Sequence, residues 1–296
     1  MVTTLFGYTI PRSWAAYLFI LPCLAVTTLF FLVPLGMTAW MSLNEWPLLG
    51  HPSFAGLRNY LALFVDASFW GSLLFTVKYT LVVTPAIFLF AFALALLVQR
   101  GARFVGIFRT AYFLPVVIGM TSASLLWTWL FNDQVGIFSA LLMDLGLVDE
   151  PVQWLGETNS ALASIVTMVL WKAAGFTMVI LLVGMQAIPI DLYEAAALDG
   201  AGWLRQIRSI TIPLMRRTFA LALTMSFIGS FLAFEQFFVM TRGGPFNSTI
   251  TIVHWIYRAS FTYFKLGYGA AMSMVLLLIL LVLSGLQLWL LRDDKE

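Results

Sequence analysis

Between Arg12 and Glu45 the chain carries no charged residue, and the apolar part of that stretch, about Trp14 to Trp40, exceeds the roughly 20 residues a helix needs to cross a bilayer. The same test finds five more spans, about 71–98, 110–131, 160–188, 218–240 and 267–291. The prediction is an all-α polytopic membrane protein with six transmembrane helices, a single transmembrane domain covering residues 1–296. The first span is longer than the roughly 7 to 15 apolar residues of a signal peptide, so it is expected to stay in the mature protein. Composition agrees: with 61% hydrophobic and 10% charged residues in 296, the chain lacks the polar side chains to coat two soluble domains. Pro22, Pro34, Pro85 and Pro115 fall inside spans, where neighbouring helices and Ser/Thr side chains can satisfy the carbonyls they free.

Several functions are excluded by what is missing. Sixteen Lys and Arg against 14 Asp and Glu leave a net charge of +2, without the clustered basic face of a nucleic-acid binder. Cys23 stands alone and cannot form an internal disulfide. His51 and His254 lie far apart on expected outer loops, so no metal cluster is expected. No lysine follows a glycine, which removes the phosphate-binding loop of an ATPase, and no GxSxG elbow is present. The chain is therefore expected to catalyse no covalent chemistry. Asn247-Ser248-Thr249 matches a glycosylation pattern and is read as a chance match.

Orientation follows from the positive-inside rule. One side holds ten cations: Arg12, Arg100, Arg103, Arg109, Arg205, Arg208, Arg216, Arg217, Arg292 and Lys295. The other holds four, Arg58, Arg242, Arg258 and Lys265, and its 132–159 loop has five acids and no cation. Both termini are thus expected in the cytoplasm.

The longest inner loop, 189–217, carries the strongest local signal. Asp191 and Glu194 are spaced for a capping box, which predicts a helix from about Leu192 through Ala197. Gly200 and Gly202 should break it, because glycine readily takes the positive φ that ends helices. A second short helix, Trp203 to about Ile210, should stop before Pro213. The product is a bent pair of helices built to dock into a partner. An interfacial helix on lipid headgroups is the plainer reading, but it does not require this glycine spacing.

The loop resembles a known family. Glu194-Ala195-Ala196, Gly200, Ile210 and Ile212-Pro213 match the EAA loop of permease subunits of binding-protein-dependent ABC importers, EAA-x3-G-x9-I-x-L-P, with Ile212 in place of leucine. Asp199-Gly200-Ala201, Phe113-Leu114-Pro115, Trp127 to Phe131, Trp171-Lys172 and Thr241-Arg242-Gly243-Gly244-Pro245 are similar to the carbohydrate branch, with its maltose and glycerol-3-phosphate permeases. The resemblance implies a type-I fold and an ATP-driven importer of sugars, or of sugar-like polyols or glycerol phosphates, in a bacterial or archaeal cytoplasmic membrane. It also implies four partner chains: a second, different permease, two copies of a cytoplasmic ATPase that bind the ATP and Mg, and an extracytoplasmic solute-binding protein. Glu194, Ala195, Ala196, Asp199, Gly200, Ala201, Ile210 and Pro213 would then form the coupling element, with no cofactor in this chain. The rival is an ion-coupled secondary transporter, a class that tends to show inverted repeats with broken helices. No such repeat is seen in the sequence.

Four further features bear on function. Lys172 and Glu235 interrupt otherwise uncharged spans, and each reads either as part of a translocation path or as a structural or subunit contact. Lys78 is expected to snorkel to the outer surface. Trp14, Trp40, Trp70, Trp127 and Trp129 read chiefly as interfacial anchors. On the outer side Gly243-Gly244-Pro245 demands a turn, followed by Trp255, Tyr257, Phe261, Tyr263 and Phe264 with Arg258 and Lys265. That surface could seat a binding protein or rest among headgroups, and the family resemblance favours the first.

Overall fold

The structure is a computed structural model and describes residues 2–5, 8–99 and 105–290. Arg100, Arg103, Arg292, Lys295 and the end of the sixth expected span lie outside the described residues, as do the side chains of Arg12 and Trp14. Contacts divide the chain into two compact units, Met1–Val65 with Ile256–Leu278 and Asp66–Trp255 with Ile279–Glu296, where the sequence predicts one domain.

The first unit begins with a small hairpin, β1 (Val2–Leu5) against β2 (Tyr8–Pro11), then α1 (Arg12–Thr27), a π turn (Thr28–Leu32) and α2 (Val33–Ser42). Tyr17–Ser42 forms the first span, and Pro34 is accommodated because the π turn precedes it. There the Val33 N–H reaches the Thr28 carbonyl, which widens the turn where a proline ring would otherwise crowd the carbonyl four residues back. The span's end is tied down by amides: Asn44 Nδ2 donates to Trp40 O at 2.6 Å, and Asn59 Nδ2 to the carbonyls of Ser42 and Asn44 at 2.9 and 3.0 Å. A second hairpin, β3 (Asn44–Glu45) with β4 (Ser53–Phe54), and α3 (Arg58–Val65) complete this end.

The second unit is built on α4 (Ala67–Gln99) and α8 (Thr158–Gln186), which pack along each other. Between them come α5 (Val105–Val117), α6 (Met120–Leu130) and α7 (Ile137–Asp144). After α8 follow α9 (Ile190–Leu198), α10 (Trp203–Gln206), a π turn (Ile207–Thr211), α11 (Ile212–Leu214), α12 (Arg216–Phe231), α13 (Glu235–Met240) and α14 (Ile252–Tyr257), whose last two residues belong to the other unit. A π turn (Arg258–Thr262) leads to α15 (Leu266–Leu290), the sixth span.

Two cores hold the second unit. In one, Tyr79 and Val83 of α4 meet Trp127 of α6, Ile165 and Met168 of α8, and Phe237 of α13. In the other, Leu94 and Val98 of α4 meet Met178 and Leu181 of α8 and Met215 and Ala222 beside or within α12. Small residues permit this closeness, as is usual where helices associate within lipid. A Cβ on Gly175 would strike the backbone of Tyr112, and one on Gly184 would lie 2.5 Å from Thr218 Oγ1.

The third expected span, 110–131, is not one helix. It is α5 and α6, bent by 100° at Ile118–Gly119. Hydropathy cannot register a change of direction, whereas Pro115 and Gly119 both favour one. The fifth, expected at 218–240, is α12 and α13 with a break at 232–234. His254 is not on an exposed loop: it is buried in α14, edge-on to Phe234 and Phe238 at 5.7 and 5.6 Å. Trp127 is no interfacial anchor either, since it lies buried among Phe131, Phe138 and Trp171.

Candidate functional site

The loop between the fourth and fifth spans holds its shape by its own hydrogen bonds. The predicted capping box does not form: the helix starts at Ile190 with Pro189 as its N-cap, and no side chain caps it. Asp191 instead falls in the first turn, where a carboxylate still complements the helix dipole. At the other end the Ala201 N–H donates to Ala196 O at 2.8 Å and the Gly200 N–H to Ala197 O at 3.0 Å. That pairing is a Schellman motif, and it requires the left-handed φ of +78° found at Gly200. Gly202 has a φ of −67° and only precedes the next helix, so the break belongs to Gly200 alone.

The helix after the bend does not stop before Pro213. It continues through the π turn, where the Ile212 N–H reaches Ile207 O, and on through α11. Ile210 is half-buried in the π turn, and Pro213 is exposed. Tyr193 Oη and Thr211 Oγ1 lie 3.0 Å apart, and Gln206 Nε2 donates to Ala201 O at 3.1 Å, which clasps α9 to the following helix. Sequence inspection missed this clasp because its residues lie up to 18 apart. No residue of α9 is buried: Glu194, Ala195 and Asp199 are exposed, and Ala196 and Ala201 half-buried. A rigid bend with bare outer faces is suited to entering a cleft in another protein.

Two concavities among the described residues of the membrane segment differ in polarity. The larger, about 570 Å³, is lined by Phe90, Tyr112, Trp127 and Trp171 among other mostly apolar groups. The smaller, about 290 Å³, gathers Tyr79, Lys172, Thr177, Ser226, Ser230 and Gln236 from α4, α8, α12 and α13. A polar group needs hydrogen-bond partners once it leaves water, and the smaller cavity is the one that offers several. Its polar groups are already ordered: Gln236 Nε2 donates to Tyr79 Oη at 3.2 Å, Thr84 Oγ1 to Ser230 Oγ at 3.3 Å, and Ser230 Oγ to Ser226 O at 2.7 Å.

Lys172 and Glu235 have distinct partners. Lys172 Nζ donates to the carbonyls of Pro115 and Val116, both at 3.2 Å, at the end of α5. Glu235, the first residue of α13, accepts from Thr121 Oγ1 at 2.9 Å, in the first turn of α6. Nothing local in the sequence signals either contact, because the partners lie 56, 57 and 114 residues away. Lys78 is exposed on α4.

The turn at 241–249 is a closed loop. Thr249 is its hub: its Oγ1 lies 2.8 Å from Thr241 Oγ1 and donates to Gly244 O at 2.6 Å, while its N–H donates to Gly243 O at 3.2 Å. Thr158 Oγ1 donates to Ser248 Oγ at 2.7 Å and anchors the loop to the start of α8. Gly243 takes the positive φ expected of a turn glycine, and Arg242, Phe246 and Asn247 also have positive φ. The Phe246 side chain is fully exposed at the tip. The sequence pointed to Gly243, Gly244 and Pro245 but not to Phe246.

A broken span beside a polar cavity also occurs in ion-driven carriers, so geometry alone leaves two transport classes open. Comparison with known proteins separates them. Residues 67–293 match the family described as binding-protein-dependent transport system inner membrane component. The chain is 34% identical, over 90% of its length and 90% of the relative's, to the trehalose/maltose transport system permease protein MalF of Thermococcus litoralis. It is 34% identical to the sn-glycerol-3-phosphate transport system permease protein UgpA of Escherichia coli O157:H7, over 93% of the chain and 92% of that protein. Its fold is similar to a chain in the crystal structure of a bacterial alginate ABC transporter in complex with alginate pentasaccharide-bound periplasmic protein, with a TM-score of 0.83, 21% identity, and 95% of both chains covered. These matches give the ion-coupled alternative no support. The chain belongs to the binding-protein-dependent transport system inner membrane component family, as a membrane-embedded ABC transporter permease of type-I fold and not as a catalytic subunit.

Proposed function

We propose that this chain forms half of the pathway of an ATP-driven importer for sugars or for sugar-like polyols and glycerol phosphates. The observation that carries the reading is the loop of α9 and α10: an EAA sequence whose Gly200 closes a Schellman turn, with no residue of α9 buried in the chain itself. Relatives named for trehalose/maltose and sn-glycerol-3-phosphate transport support the solute class. Glu194, Ala195, Ala196, Asp199, Gly200, Ala201, Ile210 and Pro213 would enter a cleft of a cytoplasmic ATPase, two copies of which bind ATP and Mg. A second, different permease completes the pathway. The exposed first span supports that partner, since none of its most apolar 18-residue window is buried within the chain. The cavity holding Lys172, Ser226, Ser230 and Gln236 is this subunit's wall of the path.

The test uses the reconstituted importer. Gly200→Pro cannot adopt the left-handed turn and should abolish solute-stimulated ATP hydrolysis and uptake while the spans still fold. Glu194→Ala should weaken coupling without loss of assembly. Wild-type stimulation in Gly200→Pro would remove the main support for the reading.

The loop 241–249 is this subunit's contact with the extracytoplasmic binding protein, with Gly243, Gly244 and Pro245 shaping the mount and Phe246 at its tip. An aromatic side chain on a rigid mount loses little freedom on binding, which suits an anchoring contact. In a Cys23→Ser background, Phe246→Cys should react with an impermeant thiol reagent from outside and Arg205→Cys only from inside, which also tests the cytoplasmic placement of both termini. Loaded binding protein should slow the first reaction. Labelling unaffected by saturating binding protein would assign the tip to the headgroup layer instead.

A further inference from the structure

We propose that Lys172 and Glu235 are positioning residues that fix the break in the third membrane segment, each holding the end of a half-helix. The proposal rests on the reading of the smaller cavity as a solute path. Where α5 ends, the Pro115 carbonyl accepts from the Ile118 N–H at 3.2 Å while the Val116 carbonyl has no further turn of helix to satisfy it, and the Lys172 ammonium donates to both at 3.2 Å. Where α6 begins, Thr121 in its first turn donates to the Glu235 carboxylate at 2.9 Å. A cation therefore stands at the negative end of one half-helix and an anion at the positive end of the other, each complementing a dipole. No direct ion pair joins the two residues.

The packing gives this arrangement a transport consequence. α5 packs on α8, which carries Lys172, and α6 packs on α13, which carries Glu235. Each charge thus stitches one half-helix to its own neighbour, and Ile118–Gly119 is left as a joint between two separately anchored rods. Val116, just before the joint, and Met120, just after it, both line the cavity with Lys172 and Gln236. The angle of the joint sets the shape of that wall. Irregular backbone at membrane depth is tolerated where it is buried or lines a cavity, which is where this joint lies.

The test compares neutral and exchanged side chains in the assembled importer. Lys172→Met takes the charged donor from both carbonyls and leaves that of Val116 without a partner, and uptake should fall by roughly tenfold, the factor a lost charge-assisted hydrogen bond corresponds to. Lys172→Gln keeps N–H donors without the charge and should recover most of that loss, as Glu235→Gln should relative to Glu235→Leu. The double exchange, Lys172→Glu with Glu235→Lys, places each charge at the wrong helix end and should be worse than either single change. Spin labels at Ile107 on α5 and Leu125 on α6 should report one narrow distance in the unsubstituted chain and a broader distribution in Lys172→Met. Rescue by the exchange would identify a simple ion pair and overturn the proposal. So would an unchanged distance distribution in Lys172→Met, or a Lys172→Gln chain as inactive as Lys172→Met. If Lys172→Met fails to assemble, the glutamine variant and the exchange still decide. Variants that hold the α5–α6 distance yet lose uptake would leave the solute-path reading standing and remove the joint.

Discussion

The first span and α8 are similarly apolar and meet opposite surroundings. Mean hydropathy over an 18-residue window is 2.4 in the first and 2.0 in α8, yet none of the first window and 50% of the second is buried within the chain. What separates them is side-chain size. α8 offers Ala174, Gly175 and Thr177 to its neighbours, and Gly175 lies against the backbone of Tyr112. The first span turns Phe19, Phe30 and Phe31 outward, and its Gly36 has nothing within 4 Å. In lipid, apolarity decides whether a helix inserts, and small residues decide which helices close on one another.

The comparison would break most visibly at Gly175. Gly175→Leu drives a branch into the α5 backbone, which cannot rotate away as a side chain would. Overpacking by about 1–3 kcal/mol, with α5 lifted off Lys172, should remove most of the folded chain from the membrane. Wild-type abundance on size-exclusion chromatography in detergent would show that α5 does not depend on this contact. Gly184→Val should do less, because it meets the side chain of Thr218 and not backbone. A partial loss is expected, and pairing it with Thr218→Ala should restore abundance. Gly36→Leu should leave the abundance of the chain unchanged, since nothing in the chain lies near it. It sharpens the comparison through a photo-crosslinker at Phe31: capture of a second permease would show what covers the first span, and adducts with lipid alone would count against that partner.

Much of the fold is legible because membrane insertion is a local property. The apolar runs at 14–40 and 71–98 coincide with the helices found, apart from a few residues at their ends. Gly200 was legible for a related reason: a helix end with positive φ needs glycine, whatever the rest of the chain does. The joint between α5 and α6 was not, because a bend preserves hydropathy. Lys172 could be singled out as an anomaly, but its partners are carbonyls, which every residue has and no sequence marks. Trp127 was misplaced on the same principle, since a tryptophan near the end of a span reads as a belt residue until its aromatic neighbours are known. The Asp191 and Glu194 pattern misled because Pro189, as N-cap, had already set the start of the helix at Ile190, one residue before Asp191.

The π turns have a consequence for how the fifth span is aimed. Ile207–Thr211 carries a wider turn than an α-helix, in effect one additional residue between the bend at Gly200 and α12. One residue corresponds to about 100° around a helix axis. Removing any one of these five residues would change the length of the segment by a fraction of a turn, but it would swing the α9 face through most of a right angle or more relative to α12. The heading of the exposed α9 face is therefore encoded as a residue count. Side chains there can be exchanged while that heading is kept, whereas a single inserted or deleted codon would turn the surface away from whatever it meets.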